Sequence, residues 1–294
     1  MFMHYCPLFE EVEGVSAEKR MVSYISASRR TDIPRFFFNE FFASWLKGEI
    51  TYDAGYGRTF TVSLKPKDVA GYIFWSKDFA PFIEHPLFEK LIAVNNAVFH
   101  FTINDCSDLE PRVAPLARRI ETFKKLCEKV GAERVFWRFD PVCKFRGRDG
   151  AYQTNERAFY TILSCVQKVA IKRCFFSFMT FYAKLSRRNV EFAQFTLEEK
   201  KAIGERMHSA CSQAGMELYN CCNKEVPGLV PGIRAAHCVD DEILRQTDRF
   251  GVHRPLTLKP TREGCGCFES RDIGSYKVKC PHGCLYCYAH PDIP

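Results

Sequence analysis

Several features that would restrict the class of this protein are absent from its 294 residues. No run of about 18 apolar residues is free of charge, which argues against a membrane-spanning helix. The chain begins Met1-Phe-Met-His-Tyr-Cys-Pro7, without a basic segment followed by an apolar run, so we expect no secretion signal and a cytoplasmic location. Internal repeats and low-complexity segments are also missing. Disorder is excluded as the dominant state, because the chain contains 27 Phe, 12 Tyr and 3 Trp.

The sequence also lacks a strong excess of charge of either sign. Lys and Arg number 42 against 35 Asp and Glu, which gives a formal net charge of +7. This balance permits an anionic ligand or nucleic acid without requiring either. The basic residues are scattered, and short groups such as Arg187-Arg188 and Lys200-Lys201 are typical of helix surfaces. A concentrated basic stripe of the kind that binds nucleic acid is therefore not indicated.

Short β-branched and aromatic runs alternate with amphipathic segments along the chain. The strand-like runs are 21–28, 61–64, 72–76, 97–103, 134–139, 174–179, 216–221 and 235–239. The helix-like segments are 35–47, 115–130, 155–169 and 196–214. This alternation predicts an α/β fold with a parallel sheet, and the number of runs favours a (β/α) barrel, complete or partial. We expect residues 1–255 to form the barrel and residues 256–294 a cysteine-rich segment of the same globule, lying over the carboxyl ends of the strands.

Cysteine is abundant, with 15 residues in the chain. Clustered cysteines in a reducing compartment more often bind metal than form disulfides. Near the carboxyl end, Cys280, Cys284 and Cys287 have the spacing C-x-x-x-C-x-x-C, with Tyr286 directly before the third. Three thiolates on a short loop can ligate three irons of a [4Fe–4S] cube and leave the fourth iron open to a small molecule. Thiolates also suit zinc, so a structural zinc site is the alternative.

This spacing resembles the signature of the radical S-adenosylmethionine superfamily. The resemblance implies that S-adenosylmethionine chelates the open iron, and that an electron from the cluster cleaves it to methionine and a 5′-deoxyadenosyl radical. It also implies that Tyr286 lies near the adenine. The sequence departs from the usual pattern in two ways: the motif stands at the carboxyl end, and no Gly-Gly-Glu run marks a site for the amino group.

Several separated segments carry a second resemblance, and they are 26–34, 62–66, 73–77, 101–103, 137–141 and 265–289. Together they resemble the family called domain of unknown function 1848. The resemblance covers nearly the whole chain and implies no particular reaction.

A second metal site is predicted from further cysteines. Cys265 and Cys267 lie close in sequence to the first three, and Cys222 and Cys238 each stand at the end of a strand-like run. Four such thiolates could hold a second [4Fe–4S] cluster or zinc, with Cys221 able to replace Cys222. The alternative is that Cys222 and Cys238 are packing residues and that the Cys-Gly-Cys segment is a turn.

Polar or functional side chains stand at the ends of the apolar runs. In a parallel barrel such positions meet at the carboxyl face, where catalytic groups lie. They are Arg29, Arg30, Asp32, Ser63, Lys65, Trp75, Lys77, Thr102, Asn104, Arg138, Asp140, Ser177, Thr180, Cys222 and Cys238. The alternative at each single position is that a strand leaving a core ends in polar loop residues.

Five of these residues are candidates for binding the cofactor. Arg138 and Asp140 share one face of their run, so the guanidinium either holds a carboxylate of S-adenosylmethionine or of an anionic substrate, or forms a structural pair. Trp75 and Lys77 also share a face, and Trp75 either stacks on a planar ligand or fills the barrel. Arg29 is preferred to Arg30, because its side chain falls on the same face of the run as residues whose apolar neighbours we expect to be buried.

Taken together, these patterns predict a radical S-adenosylmethionine enzyme acting on an unknown substrate. Such an enzyme needs a reducing partner such as flavodoxin or ferredoxin, and no membrane is involved. The alternative is a zinc- or iron–sulfur-stabilised protein that binds or repairs nucleic acid.

Overall fold

A computed structural model describes residues 22–53 and 57–293 of the chain. The strands in this part are β1 (Ser23–Ala27), β2 (Glu49–Asp53), β3 (Thr59–Ser63), β4 (Val69–Ser76), β5 (Ala97–Thr102), β6 (Val135–Val142), β7 (Lys144–Arg146), β8 (Tyr152–Thr154), β9 (Arg173–Phe178), β10 (Phe192–Ala193), β11 (Glu217–Asn220), β12 (Arg234–Ala235) and β13 (Arg271–Asp272). The α-helices are α1 (Ile33–Phe36), α2 (Phe38–Lys47), α3 (Ala80–Glu84), α4 (Phe88–Val94), α5 (Leu116–Val130), α6 (Glu156–Val166), α7 (Leu197–Gln213), α8 (Val226–Leu229) and α9 (Asp241–Gln246). Met21, and the first residues on which the expected lack of a secretion signal depends, lie outside the described residues.

Eight of these strands form one parallel sheet, which confirms the α/β prediction. Their order is β12-β11-β9-β6-β5-β4-β1-β13. From β1 to β12 each strand pairs with the next one of the sheet along the chain, and β13 returns to the free side of β1. In the part of the chain that is described, no pairing joins β12 to β13, so the sheet keeps two edges and no closed barrel is seen.

One expected strand of the main sheet belongs elsewhere. The run 61–64 falls on β3, which pairs antiparallel with β2 in a separate two-stranded sheet. A central parallel strand is buried on both faces, whereas β3 is exposed or half-buried along its length. Ser63 and Lys65 therefore do not follow a strand of the parallel sheet, and the Ser63 hydroxyl instead donates to Asp68 at 2.7 Å.

The four predicted helical segments are helical in the structure, with one division. The segment 35–47 begins two residues earlier and is split into α1 and α2 at Phe37. Asp32 caps α1, since its carboxylate accepts the Arg35 N–H at 3.0 Å and Pro34 occupies the first turn. No helix among the described residues has both the length and the apolarity to cross a membrane.

The two faces of the parallel sheet differ in what they bury. One face packs against helices in a core rich in aromatic rings, among them Phe74, Phe99 and Trp137. Each fully buried ring of this kind contributes about 1.5–3 kcal/mol. The other face carries a smaller cluster that includes Phe136 and Phe175. Because side chains alternate along a strand, the residues that continue this second face toward the carboxyl ends point into the cavity described next.

Candidate metal centre and cavity

A cavity of about 640 Å³ lies at the carboxyl ends of the parallel strands. In the described residues, seven of the eight strands supply lining side chains at or just after these ends. The lining includes Arg29, Trp75, Lys77, Thr102, Arg138, Asp140, Cys221, Cys222, Cys238 and Asp272 from the strands, and Cys265, Cys267, Cys280, Cys284 and Cys287 from the carboxyl-terminal segment. Parallel strands place their carboxyl ends on one edge, which is why residues far apart in sequence meet here.

The three cysteines of the C-x-x-x-C-x-x-C motif all line this cavity. Burial raises the pKa of the Cys280 thiol to about 12 and also raises the pKa of Cys284 and Cys287. The ammonium group of Lys77 opposes this rise at Cys284 and Cys287, and Lys184 opposes it at Cys287. Since only the thiolate binds metal, these cations favour the form of the motif that can act as a ligand.

Tyr286 is largely buried and is not among the residues that line the cavity. Its hydroxyl donates to the Glu110 carboxylate and accepts from Asn104 Nδ2 at 3.0 Å. The Lys77 ammonium lies 5.4 Å from the Tyr286 ring centroid and 2.6 Å from Glu110 Oε1. Burial alone would raise the pKa of Glu110, but Lys77 and Arg119 bring it below its usual value. Tyr286 thus anchors the loop, and its contact with adenine stays a prediction.

The structure brings together a second group of cysteines, which we call the thiol ring: Cys221, Cys222, Cys238, Cys265 and Cys267. Cys221 Sγ lies 3.4 Å from Cys222 Sγ and 3.1 Å from Cys238 Sγ. The Cys267 N–H donates to Cys265 Sγ at 3.4 Å. The thiols of Cys222 and Cys265, and those of Cys238 and Cys267, shift each other's pKa, so these sulfur atoms are neighbours as well. The Cys221 thiol lowers the pKa of Cys238, and the Cys222 thiol lowers that of Cys265. All four cysteines of the predicted second site belong to this ring, together with the alternative Cys221.

Arg138 and Asp140 form an ion pair on the cavity wall, as their shared face predicts. Asp140 also accepts a hydrogen bond from the Ser177 hydroxyl. Arg138 Nη1 donates to Cys238 Sγ at 3.2 Å, so this guanidinium is already engaged on two sides.

Trp75 lines the cavity and also packs against neighbouring side chains of the sheet. Its ring stacks on His100 with centroids 4.2 Å apart, and its Nε1 donates to Ser26 Oγ at 3.0 Å. Burial, with Arg138 beside it, lowers the pKa of His100 to about 3, so His100 is neutral. One face of the Trp75 ring is therefore committed to the protein.

Arg29 differs from Arg138 in having a free donor. Its Nη2 donates to Ser270 Oγ at 3.0 Å and its backbone N–H to Asp272 Oδ2 at 3.0 Å. Arg29 Nη1 is buried and has no hydrogen-bond partner in the described part of the chain. No pattern in the sequence marks Asp272, because β13, with two residues, shows no periodicity.

Other lining residues also carry no strand-end signal. His282 Nε2 lies 2.8 Å from Asp32 Oδ2, and its place inside the cysteine motif could have singled it out. Lys184 donates to the backbone carbonyls of Tyr288 and, at 2.6 Å, Ala289. Lys184 lies in a loop after β9, about 100 residues before the motif, and no spacing in the sequence indicates that the two meet.

The donor set suits soft metal chemistry. Thiolates are the ligands that iron–sulfur clusters prefer, and each thiolate on a cube binds a different iron. Across residues 22–53 and 57–293, no group of three or more His, Cys, Asp or Glu is arranged to hold a single metal ion.

Fold and cavity together define an α/β protein with an eight-stranded parallel sheet and two groups of cysteines at its carboxyl edge. A family model, Domain of unknown function (DUF1848), matches residues 24–289, and the chain belongs to this family. This confirms the resemblance drawn from the separated segments. No curated protein matches the chain.

Proposed function

We propose that the protein is a radical S-adenosylmethionine enzyme in which Cys280, Cys284 and Cys287 hold a [4Fe–4S] cluster. The observation that carries this proposal is that all three thiols, with the motif spacing, line the cavity at the carboxyl ends of the parallel strands. A cluster held there would supply the electron that cleaves S-adenosylmethionine to methionine and a 5′-deoxyadenosyl radical. The electron would come from a reducing partner such as flavodoxin or ferredoxin.

A partial (β/α) barrel is the architecture we infer for this activity. The strands follow the chain order across the sheet, and β13 lies beside β1, where the last strand of a barrel would lie. The cavity of about 640 Å³ is within the range of about 300–1,000 Å³ common for cofactor and substrate sites.

Among the cationic side chains of the cavity, Arg29 is the best placed to bind the carboxylate of S-adenosylmethionine or of an anionic substrate. Its Nη1 is buried and unpaired in the described residues, whereas Arg138 is held by Asp140 and Cys238. Lys77 forms an ion pair with Glu110, so its ammonium group supports the motif loop and is not free to bind a ligand. A carboxylate would satisfy the free donor of Arg29 by a charge-assisted hydrogen bond.

The experiment that tests the proposal measures turnover of S-adenosylmethionine by protein purified and reconstituted without oxygen. We expect the reduced wild type to release 5′-deoxyadenosine and methionine, and the Cys280→Ala/Cys284→Ala/Cys287→Ala variant to release none above background. Cys127→Ala is the control, because Cys127 is buried on α5 in the main core. Zinc without iron in the wild type would contradict the proposal and favour the zinc-stabilised nucleic-acid-binding alternative.

A further inference from the structure

We propose that the thiol ring is a second iron–sulfur site, with Cys222, Cys238, Cys265 and Cys267 as its ligands and with Arg138 and Arg262 donating N–H···S hydrogen bonds that set its reduction potential. The metal site stands on the geometry of the ring alone. Its redox role rests on the proposed function, because a second electron-carrying centre in the same cavity serves a reaction that moves electrons.

The ring is assembled from three separate parts of the chain. Cys221 and Cys222 follow β11, Cys238 follows β12, and Cys265 and Cys267 lie in the loop before β13. All five thiols border the one cavity that also receives Cys280, Cys284 and Cys287. The cysteines of the described residues outside these two groups are dispersed, whereas the five thiols of the ring all line the cavity at the carboxyl ends of the strands.

The backbone around the ring is shaped to bring the sulfurs together. Cys222 has φ of 65°, a left-handed conformation that costs a non-glycine residue about 1–2 kcal/mol. Gly264 has φ of 77°, and a Cβ at this position would come within 2.6 Å of the Cys222 carbonyl oxygen. The loop that carries Cys265 can therefore approach Cys222 only with glycine at 264.

The charges around the ring match an anionic sulfur centre. Arg138 Nη1 donates to Cys238 Sγ at 3.2 Å, and Arg262 Nε donates to Cys222 Sγ at 3.3 Å. Arg262 Nη1 donates to the Tyr182 hydroxyl at 2.9 Å, and no carboxylate among the described residues forms a salt bridge with Arg262. A partly buried guanidinium is stabilised by a counter-charge, and a metal-bound thiolate at Cys222 would supply one.

The two arginine donors would have a redox function on an iron–sulfur cluster that they would not have on zinc. Hydrogen bonds to the sulfurs and nearby positive charge stabilise the more negative, reduced state of a cluster, which is how proteins raise its potential. Zinc does not change its oxidation state, so two cationic donors on its ligands would have no redox consequence. Cys221 is the fifth thiol of the ring and contacts Cys222 and Cys238 without receiving an arginine hydrogen bond.

Metal analysis of matched variants tests the second site. Wild type, the triple variant Cys280→Ala/Cys284→Ala/Cys287→Ala and the double variant Cys265→Ser/Cys267→Ser are reconstituted with iron and sulfide without oxygen. We expect about eight irons in the wild type and about four in each variant, with reduced-cluster EPR spectra that differ between the two variants. Far-UV circular dichroism confirms that each variant is folded, and Cys127→Ala should match the wild type.

The outcomes separate this inference from the proposed function. Unchanged iron in Cys265→Ser/Cys267→Ser, or zinc as the only metal kept by the triple variant, would overturn the second iron–sulfur site while leaving the first untouched. If the reduced wild type formed no 5′-deoxyadenosine, the proposed function would be overturned instead.

A second measurement leaves all five cysteines of the thiol ring unchanged. We expect Arg262→Gln to shift the midpoint potential of the cluster in the triple-variant background to a more negative value, because it removes a cationic donor to Cys222 Sγ. Arg262→Lys, which keeps the charge, should shift it less. Arg148→Gln is the control, since the Arg148 side chain is 91% exposed. Identical midpoint potentials in the triple variant with and without Arg262→Gln would overturn the assigned role of Arg262.

Discussion

Asp272 ties the carboxyl-terminal segment to the first strand of the sheet through several hydrogen bonds. Its carboxylate accepts hydrogen bonds from the hydroxyls of Ser26 and Ser28, each at 3.1 Å. It also accepts the backbone N–H groups of Arg29 at 3.0 Å and Gly274 at 2.9 Å. A two-residue strand contributes few ladder hydrogen bonds, so this carboxylate supplies much of the attachment of β13 to β1.

We expect Asp272→Ala to destabilise the metal-free protein by about 2–4 kcal/mol. The loss follows because the substitution leaves buried donors of Ser26 and Ser28 unsatisfied and leaves the Arg29 charge without its carboxylate. Urea unfolding followed by circular dichroism measures the change. Asp108→Ala is the matched control, since Asp108 pairs with the exposed Arg148 and its removal should change stability by less than about 0.5 kcal/mol. Equal effects of the two substitutions would contradict the attachment role.

A second residue-scale prediction concerns His85 and acid. The imidazole stacks on Phe42 with centroids 4.1 Å apart and accepts the Leu87 N–H at 3.2 Å through Nδ1. Burial lowers the pKa of His85, so the folded state binds its proton at lower pH than the unfolded state does. The stability from neutral His85 is therefore complete above about pH 6.5 and is lost as the pH falls below that value.

The test compares the pH dependence of stability in two proteins. His85→Phe keeps an aromatic ring at the stack but cannot be protonated. We expect its urea midpoint to fall less than that of the wild type between pH 7 and pH 5.5. Parallel curves for the two proteins over this interval would show that His85 does not contribute to the slope.

At the scale of elements, helix α7 is specified by its own sequence. Thr196 accepts the Glu199 N–H at 3.2 Å, and the Glu199 carboxylate accepts the Thr196 N–H at 2.9 Å. This reciprocal pair is a capping box, which satisfies two of the backbone donors that a helix start leaves free. The predicted segment 196–214 accordingly differs from α7 by one residue at each end.

We expect Thr196→Ala to lower the free energy of unfolding by about 1 kcal/mol, because the substitution removes the side-chain acceptor at the N-cap. Thermal or urea unfolding measures the difference. Ser209→Ala lies on an exposed position of the same helix and should leave stability unchanged or slightly higher. A Thr196→Ala protein as stable as the Ser209→Ala protein would contradict the importance of the cap.

The elements that were predicted and those that were missed differ in length and burial. Strands β4, β5 and β6 are long and almost wholly buried, so their composition marks them in the sequence. The run at β3 has the same β-branched and aromatic composition, and only its tertiary pairing with β2 shows that it lies outside the main sheet. β13 has two residues, which is too short for any period to be recognised.

At the scale of the whole molecule, topology explains why the candidate site was partly predictable. Arg138, Trp75 and Cys238 lie at or after strand ends, and parallel strands necessarily bring such positions to one edge. Lys184 and Arg262 reach the same cavity from loops whose paths depend on tertiary packing, so no spacing in the sequence points to them. The cysteine motif, visible in the sequence, suggests the chemistry that we propose. Which cations surround the cysteines can be seen only in the folded chain.

The carboxyl-terminal segment, residues 256–293, has only β13 as a regular element in the described structure. Its attachment therefore depends on side-chain contacts such as those of Asp272, and we propose that metal bound by its cysteines adds to them. A metal that binds the folded state adds its binding free energy to the stability of the region it ligates. Lys277 and Lys279 are exposed trypsin sites within this segment, next to Cys280.

We expect removal of iron by a chelator under oxidising conditions to increase the rate of trypsin cleavage after Lys277 and Lys279 several-fold, because cleavage requires local opening that the metal opposes. Cleavage after Arg138, which is buried within β6, should stay slow in both forms, which makes it the internal control. Mass spectrometry of timed digests gives the two rates from one sample. The variant Cys280→Ala/Cys284→Ala/Cys287→Ala should be cleaved fast whether or not iron is supplied. Equal rates for loaded and metal-free wild type would mean that this segment holds its structure without a metal.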